Sequence, residues 1–298
     1  MAVLLASSGT DQAYVSYLQT ALNDIITGSG LHWQVRGQLS PEDLVPVLRL
    51  VVAVPPDPGL AGMAASAPDT QFLALDMPGL EAAPNLTVIG AAGDRPDQQG
   101  FIAGVIAAMI SPDWRVGAIS PSDTVEGRSA RTGFLNGVEY FCGLCRPIHS
   151  PFYEYPLYVE LPSTATSAEW QEAANYMVDH YVQTVYVYPA AGDEAMLSVL
   201  AAAGVNIISS GEPPEAIRSS WVVSLTADPF PLIQNQVEGL LNGDISGGQL
   251  LVVPIGFTEI NPALFTPGKQ RLAEQILSDL QAGYIDTGVD LTNGENRP

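Results

Sequence analysis

The chain has 298 residues, 47% hydrophobic and only 14% charged, enough apolar material for about two packed domains. Its 32 acidic residues stand against 11 basic ones, a formal net charge of −21, with Lys269 the single lysine. With no Lys/Arg cluster to displace counterions, nucleic acid is disfavoured as a partner, and an anionic membrane would repel such a surface.

In chain order the apolar pattern alternates between strand and helix. AVLLAS (2–7) reads as a buried strand and 11–26 as a helix with apolar residues at helical spacing. HWQVRGQ (32–38) alternates as a strand, and SPEDLVPVL (40–48) opens as a helix with Ser40 as cap and Pro41 in its first turn. Strands follow at RLVVAVP, TQFLALD and LTVIGAA, with a short helix at GLAGMAASAP. The helix over 97–110 is rich in small residues and too short to cross a bilayer, which takes about 20 residues. Its Gly100, Gly104, Ala107 and Ala108 predict close packing on the first sheet. ISPDWRVG (110–117) then reads as a hinge leading to a second sheet.

The second set begins at RVGAIS and continues with a helix over 126–141, the strand PLYVEL and a helix over 167–181 that Ser167 would cap. TVYVYP, VNIISS, WVVSLTA and LLVVPIG read as strands, and 193–204, 228–243 and 269–283 as helices; the tail DLTNGENRP reads as loose. Val/Ile/Leu-rich strands each followed by a helix predict parallel sheets covered on both faces. Two such sets predict an α/β protein of two Rossmann-like, three-layer αβα lobes joined by a hinge. The expected lobes are 1–112 plus 227–248, and 113–226 plus 249–298.

Ligands of open parallel sheets bind beyond the carboxyl ends of the strands. In the first set that rule selects Ser8, Asp11, Gln12, Tyr14, Pro56 and Asp76; in the second, Ser120, Asp123, Tyr188, Gly192, Asp193 and Glu212. The rim is made of hydroxyls, carboxylates and tyrosines with few basic groups, which suits a polar, neutral or cationic solute. Asp11 and Asp123 also precede helices and serve equally well as caps, and Tyr14 on a helix face fits a core position.

A catalytic set is missing. His32, His149 and His180 all fall off the rim, and no nucleophile elbow, phosphate loop or dinucleotide fingerprint is present. No cofactor is expected, and no metal, since Cys142, Cys145 and His149 lack a fourth ligand at recognisable spacing. The FCGLC pair follows a helix instead of opening one, so Cys142 and Cys145 read as a local disulfide or inert thiols ahead of a redox or metal role. MAVLLASSGT has neither a charged leader region nor a long apolar run, which fits a cytoplasmic protein or an exported one already trimmed.

Several stretches in order resemble the basic membrane protein (BMP) family of ABC-transporter substrate-binding proteins, which have the type 1 periplasmic-binding-protein fold. GTDQAY is similar to the family's opening D-x-S-F-N, and APDTQFLALD to its P-x-x-x-F-x-x-x-D strand. APNLTVIGAAGDRPDQQGFIAGVIAAMIS resembles its P-N-V segment and small-residue helix. RVGAISPSDTVEGRSARTGFLNGVEY and VYVYPAAGDEAMLSVLAAAGV resemble its second-lobe strand–helix segments. The resemblance implies an extracytoplasmic, lipid-anchored and monomeric receptor that captures a small solute, often a nucleoside, between its lobes for a membrane permease. It implies ligand roles for Asp11, Tyr14 as the stacking aromatic, Asp123 and Gly192. Three ligand-facing slots depart from the family: Val15 replaces an Asn, Gly211 (beside Glu212) an Asp, and Ala227-Asp228 stand where a Lys is expected.

A receptor feeding a permease is the leading reading. The alternatives are a ligand-sensing domain that signals to a partner protein and an enzyme on the same scaffold.

Overall fold

A computed structural model describes residues 1–90 and 95–298. The chain forms two compact units, Met1–Asp94 with Ala227–Pro254, and Arg95–Thr226 with Ile255–Pro298. The first unit begins with β1 (Ala2–Leu5), α1 (Gln12–Gly28), β2 (Trp33–Arg36), β3 (Leu50–Ala53), α2 (Leu60–Ser66), β4 (Gln71–Leu75) and β5 (Leu86–Ile89). The second holds α3 (Pro96–Ile110), β6 (Val116–Pro121), α4 (Val125–Cys142), β7 (Leu157–Leu161) and α5 (Ser167–Asp179). It continues through β8 (Thr184–Val187), α6 (Glu194–Ala202), β9 (Asn206–Ser209) and β10 (Trp221–Ala227). The chain returns to the first unit for α7 (Phe230–Asn242) and β11 (Leu250–Leu251). It ends in the second with β12 (Ile255–Thr258), α8 (Pro267–Gln281), β13 (Val289–Asp290) and β14 (Glu295–Asn296).

Each unit has a six-stranded sheet, ordered β11-β5-β4-β3-β1-β2 in the first and β12-β10-β9-β8-β6-β7 in the second. The pairings within the first sheet are parallel, as are those linking β10, β9, β8, β6 and β7 in the second. Alternation along each strand assigns its two faces. Leu4, Val52, Leu73 and Ile89 pack under α1 and α7, while Leu5, Val51, Phe72 and Val88 pack with α2. In the second unit Ala118, Tyr186 and Ile208 face α3, α4 and α8, and Ile119, Val185 and Ile207 face α5 and α6.

The structure corrects five expectations about the elements and the units. First, α3 belongs to the second unit and packs on α4, not on the first sheet. A Cβ at Gly100 would fall 2.0 Å from the Ala130 carbonyl oxygen, at Gly104 2.2 Å from that of Phe134, and at Gly137 1.9 Å from that of Phe101. The small residues thus let two helix backbones touch. Second, the expected hinge over 110–117 is fastened inside the second unit. Ser111 Oγ meets Thr184 Oγ1 at 2.8 Å, and Arg115 binds Asp113 at 2.8 Å and the His149 carbonyl at 2.7 Å. The units instead exchange chain at 94/95, 226/227 and 254/255, in place of the expected break after 112. The last two positions of the predicted strand LTVIGAA lie outside the described residues.

Third, the helix expected over 40–48 is only a 3-10 turn at Pro41–Asp43, because Pro46 lacks an N–H and drives Val45 out of helical geometry. Fourth, the single strand expected over 250–256 is two strands, one per unit, on either side of Pro254. Fifth, the tail expected to be loose forms an antiparallel hairpin, β13–β14, bonded to α4. Cys142 and Cys145 are joined as a disulfide.

Candidate functional site

The strand ends of each unit carry a rim of polar groups. In the first unit, Asp11 caps α1, its carboxylate accepting the Ala13 N–H at 2.9 Å. Thr10 Oγ1 donates to the Pro55 carbonyl at 2.9 Å, tying this loop to the turn after β3, where Pro56 is exposed. Ser8 and Gln12 are exposed, and Gln12 Nε2 donates to the Thr10 carbonyl at 3.2 Å. Asp57 closes the next turn by accepting the Gly59 and Leu60 N–H groups.

Asp76, just past β4, has a left-handed backbone with φ 50, and its N–H donates to the Ile89 carbonyl at 2.8 Å. Its carboxylate occupies the space above Gly90, where an added Cβ would stand 2.2 Å from Asp76 Oδ1. Glycine is therefore required at position 90 to admit that carboxylate, and its φ of +79 makes the same demand. The Tyr14 hydroxyl is buried near this carboxylate. Burial first, then the nearby Asp76 carboxylate, push the Tyr14 phenol up to about 12. Phe230, at the start of α7, stands edge-on to Tyr14 at 6.3 Å and to Tyr17 at 4.1 Å, held by its N–H to Asp228 Oδ1 at 3.0 Å. The first rim therefore couples Tyr14 to Asp76 and backs them with an aromatic wall.

In the second unit Ser120 lies at the end of β6, 1% exposed, and its hydroxyl has no hydrogen-bond partner among the described residues. Asp123 is exposed and accepts both the N–H and the hydroxyl of Ser163 at 2.8 Å each, locking the loop after β6 to the loop after β7. Those bonds, the backbone one foremost, hold its carboxyl below the ordinary aspartate range. Thr124, not Asp123, caps α4, accepting the Gly127 N–H at 3.0 Å, which leaves Asp123 to bridge the loops. Thr166, not Ser167, caps α5, in a capping box with Glu169.

Asp193 caps α6 through the Met196 N–H at 2.9 Å; the Ser167 hydroxyl and that N–H hold its carboxyl low. A Cβ on Gly192 would meet the Met196 sulfur at 2.5 Å, so a larger residue would push Met196 out of its core position. Tyr188, half-buried, packs against both cores of the unit. Glu212, three residues past β9, pairs with Arg218 at 3.7 Å, and Arg218 also holds Glu215 and Glu259.

Sequence reasoning missed Ser163, although it follows β7 and the strand-end rule reaches it. It also missed Phe230 and Gly90, whose roles come from distant partners. Val15, in the slot where the resembled family has Asn, is 4% exposed and packs in the first core. Surface hollows of about 640 Å³ (Leu144 to Tyr155, Cys145 among them) and about 520 Å³ (around Arg218 and Asn261) are lined by none of the predicted ligand-binding residues. Among the described residues no three His, Cys, Asp or Glu side chains form a metal cluster, and no helix is long and apolar enough to cross a membrane.

No protein-family model matches the chain, and no curated protein matches it. Solved structures do. An ABC transporter system solute-binding protein from Conexibacter woesei DSM 14684 is similar with TM-score 0.60 and 19% identity, over 96% of this chain and 97% of that one. A transcriptional activator of the comK gene from Bacillus halodurans is similar with TM-score 0.57 and 16% identity, over 97% and 98%. With its two mainly parallel, helix-covered sheets, the chain therefore has the two-lobed α/β fold of the type 1 periplasmic binding proteins.

Proposed function

We propose that the protein is an extracytoplasmic solute receptor of an ABC importer, related to the basic membrane protein family, that acts as a monomer and closes its two lobes on a small polar ligand. The observation that carries this reading is the composition of the two rims. Tyr14 and Asp76 in one unit, and Ser120, Asp123, Tyr188 and Asp193 in the other, lie at or beyond the carboxyl ends of strands without a nucleophile–base pair among them. The likeness in fold to a solute-binding protein supports it. Carboxylates held ionised accept hydrogen bonds from hydroxyl or amine groups, at about 1.5–3 kcal/mol for each charge-assisted bond. The preferred ligand is a neutral or cationic hydroxyl-bearing solute, a nucleoside or a sugar. The lipid anchor and the permease partner belong to the same proposal.

A second reading, a sensor domain that signals to a partner protein, draws on the likeness to the comK activator. Native mass spectrometry of the purified protein, followed by thermal-shift titration with nucleosides and neutral sugars, tests binding. A solute at 100 times its Kd adds about 2.7 kcal/mol of stability. Failure of every solute would refute the receptor reading, and chemical turnover of a bound one would replace it with an enzyme.

A further inference from the structure

The C-terminal hairpin is fastened along one face of α4. Thr132 Oγ1 donates to the Gly294 carbonyl at 2.7 Å, Arg131 Nη2 binds Glu295 at 2.5 Å, and Asn136 Nδ2 donates to the Thr287 carbonyl and to Asn296. The hairpin is itself rigid. Asp290 closes its turn by accepting from Thr292 and Asn293, and Arg297 reaches back to Asp286 and to the Val289 carbonyl. Gly294, at φ +80, rests directly on the helix: an added Cβ would stand 2.7 Å from the Val125 carbonyl oxygen and 2.8 Å from the Ser129 nitrogen.

Two guanidinium groups on that face reach in both directions. Arg128 Nε donates to the Asn293 carbonyl in the hairpin at 2.9 Å, while its Nη1 donates to the Ser122 carbonyl in the loop after β6 at 2.8 Å. Arg131, holding Glu295 with one nitrogen, holds Glu160 at the end of β7 with the other at 2.8 Å. Both strands run directly into the loops that Asp123 and Ser163 join.

We propose that the C-terminal hairpin is a positioning element for the second rim, with Arg128 and Arg131 transmitting its position to the loops that carry Asp123 and Ser163. A planar guanidinium holds two carbonyls in fixed relation because its donors form a rigid fork. The hairpin thereby fixes where the Asp123 carboxylate stands. That Asp123 meets a ligand rests on the function proposed above; the brace does not.

Hydrogen exchange read by mass spectrometry on the whole 298-residue chain, ligand-free, tests the brace in two variants. Gly294→Val forces the hairpin off the helix backbone. Arg128→Gln cuts one bridge while Arg131, Thr132 and Asn136 keep the hairpin docked. In both, the Ser122 amide (bonded to the Leu161 carbonyl) and the Ser163 amide (bonded to Asp123) are expected to exchange at least tenfold faster, with β8 unchanged. Unchanged exchange at these loops in Arg128→Gln overturns the proposal. So does equal acceleration across the whole unit in Gly294→Val, which would make the hairpin a source of overall stability only. No solute is needed for this readout, so failure of the receptor reading leaves its result intact.

Discussion

Gly137→Ala puts the contact between α3 and α4 to a test of sign. In a helix interior alanine is preferred to glycine by about 1 kcal/mol, so propensity alone makes the variant more stable. The structure opposes this. The new methyl would lie 1.9 Å from the Phe101 carbonyl oxygen and 2.7 Å from its carbon, and backbone cannot rotate away as a side chain can. Forcing such an atom into a packed interface costs about 3 kcal/mol at the upper end of ordinary overpacking. The net expectation is destabilisation by about 2 kcal/mol. With a urea m-value of about 2 kcal/mol/M, that lowers the midpoint for the second unit by about 1 M. Gly268→Ala in the first turn of α8 is the matched control in the same unit, since nothing lies within 4 Å of its added Cβ; its midpoint should hold or rise. A Gly137→Ala midpoint equal to or above wild type would show that the two helices do not touch backbone to backbone.

Asn85 is buried and donates from Nδ2 toward the carbonyls of Ala64, Ala67 and Thr70 at 2.8–3.1 Å, so Asn85→Ala should cost about 2 kcal/mol in urea melts of the first unit. Asp76→Asn should move the alkaline titration of Tyr14 down from about 12, followed by phenolate absorbance; no movement would separate the two groups. Because the folded pKa of Tyr14 is raised, its stabilising contribution is full below about 10, the ordinary tyrosine value, and is lost as pH rises toward 12. Asp123 runs the opposite way. Its depressed folded pKa contributes stability above the ordinary aspartate range and loses it as pH falls, and Ser163→Ala should raise its titration midpoint in carbon-detected NMR.

Much of the fold is legible because parallel strands buried on both faces read as unbroken apolar runs, as in LVVA at Leu50–Ala53, where every residue is buried. The strand-end rule likewise reached Tyr14, Asp76 and Asp123. It does not say which carboxylate bridges and which caps: Thr124 and Asp123 are neighbours, and only the position of Ser163 assigns their roles. Glu212 follows β9 in sequence, and its pairing with Arg218, six positions on, is likewise invisible to that rule. The hairpin was invisible for a related reason. DLTNGENRP is polar and short, and its order comes from Arg128, Arg131 and Thr132, more than 150 positions earlier in the chain.

Local order of strands and helices, their apolar faces and the polar character of the loops are fixed by neighbouring residues, and the sequence by itself determined them. The partner of the glycine-rich face of α3, the division of 250–256 at Pro254 and the docking of the C-terminus on α4 depend on contacts between distant segments. Only the tertiary structure decided these, because a helix face or a polar turn specifies what kind of surface it needs and leaves open which surface supplies it.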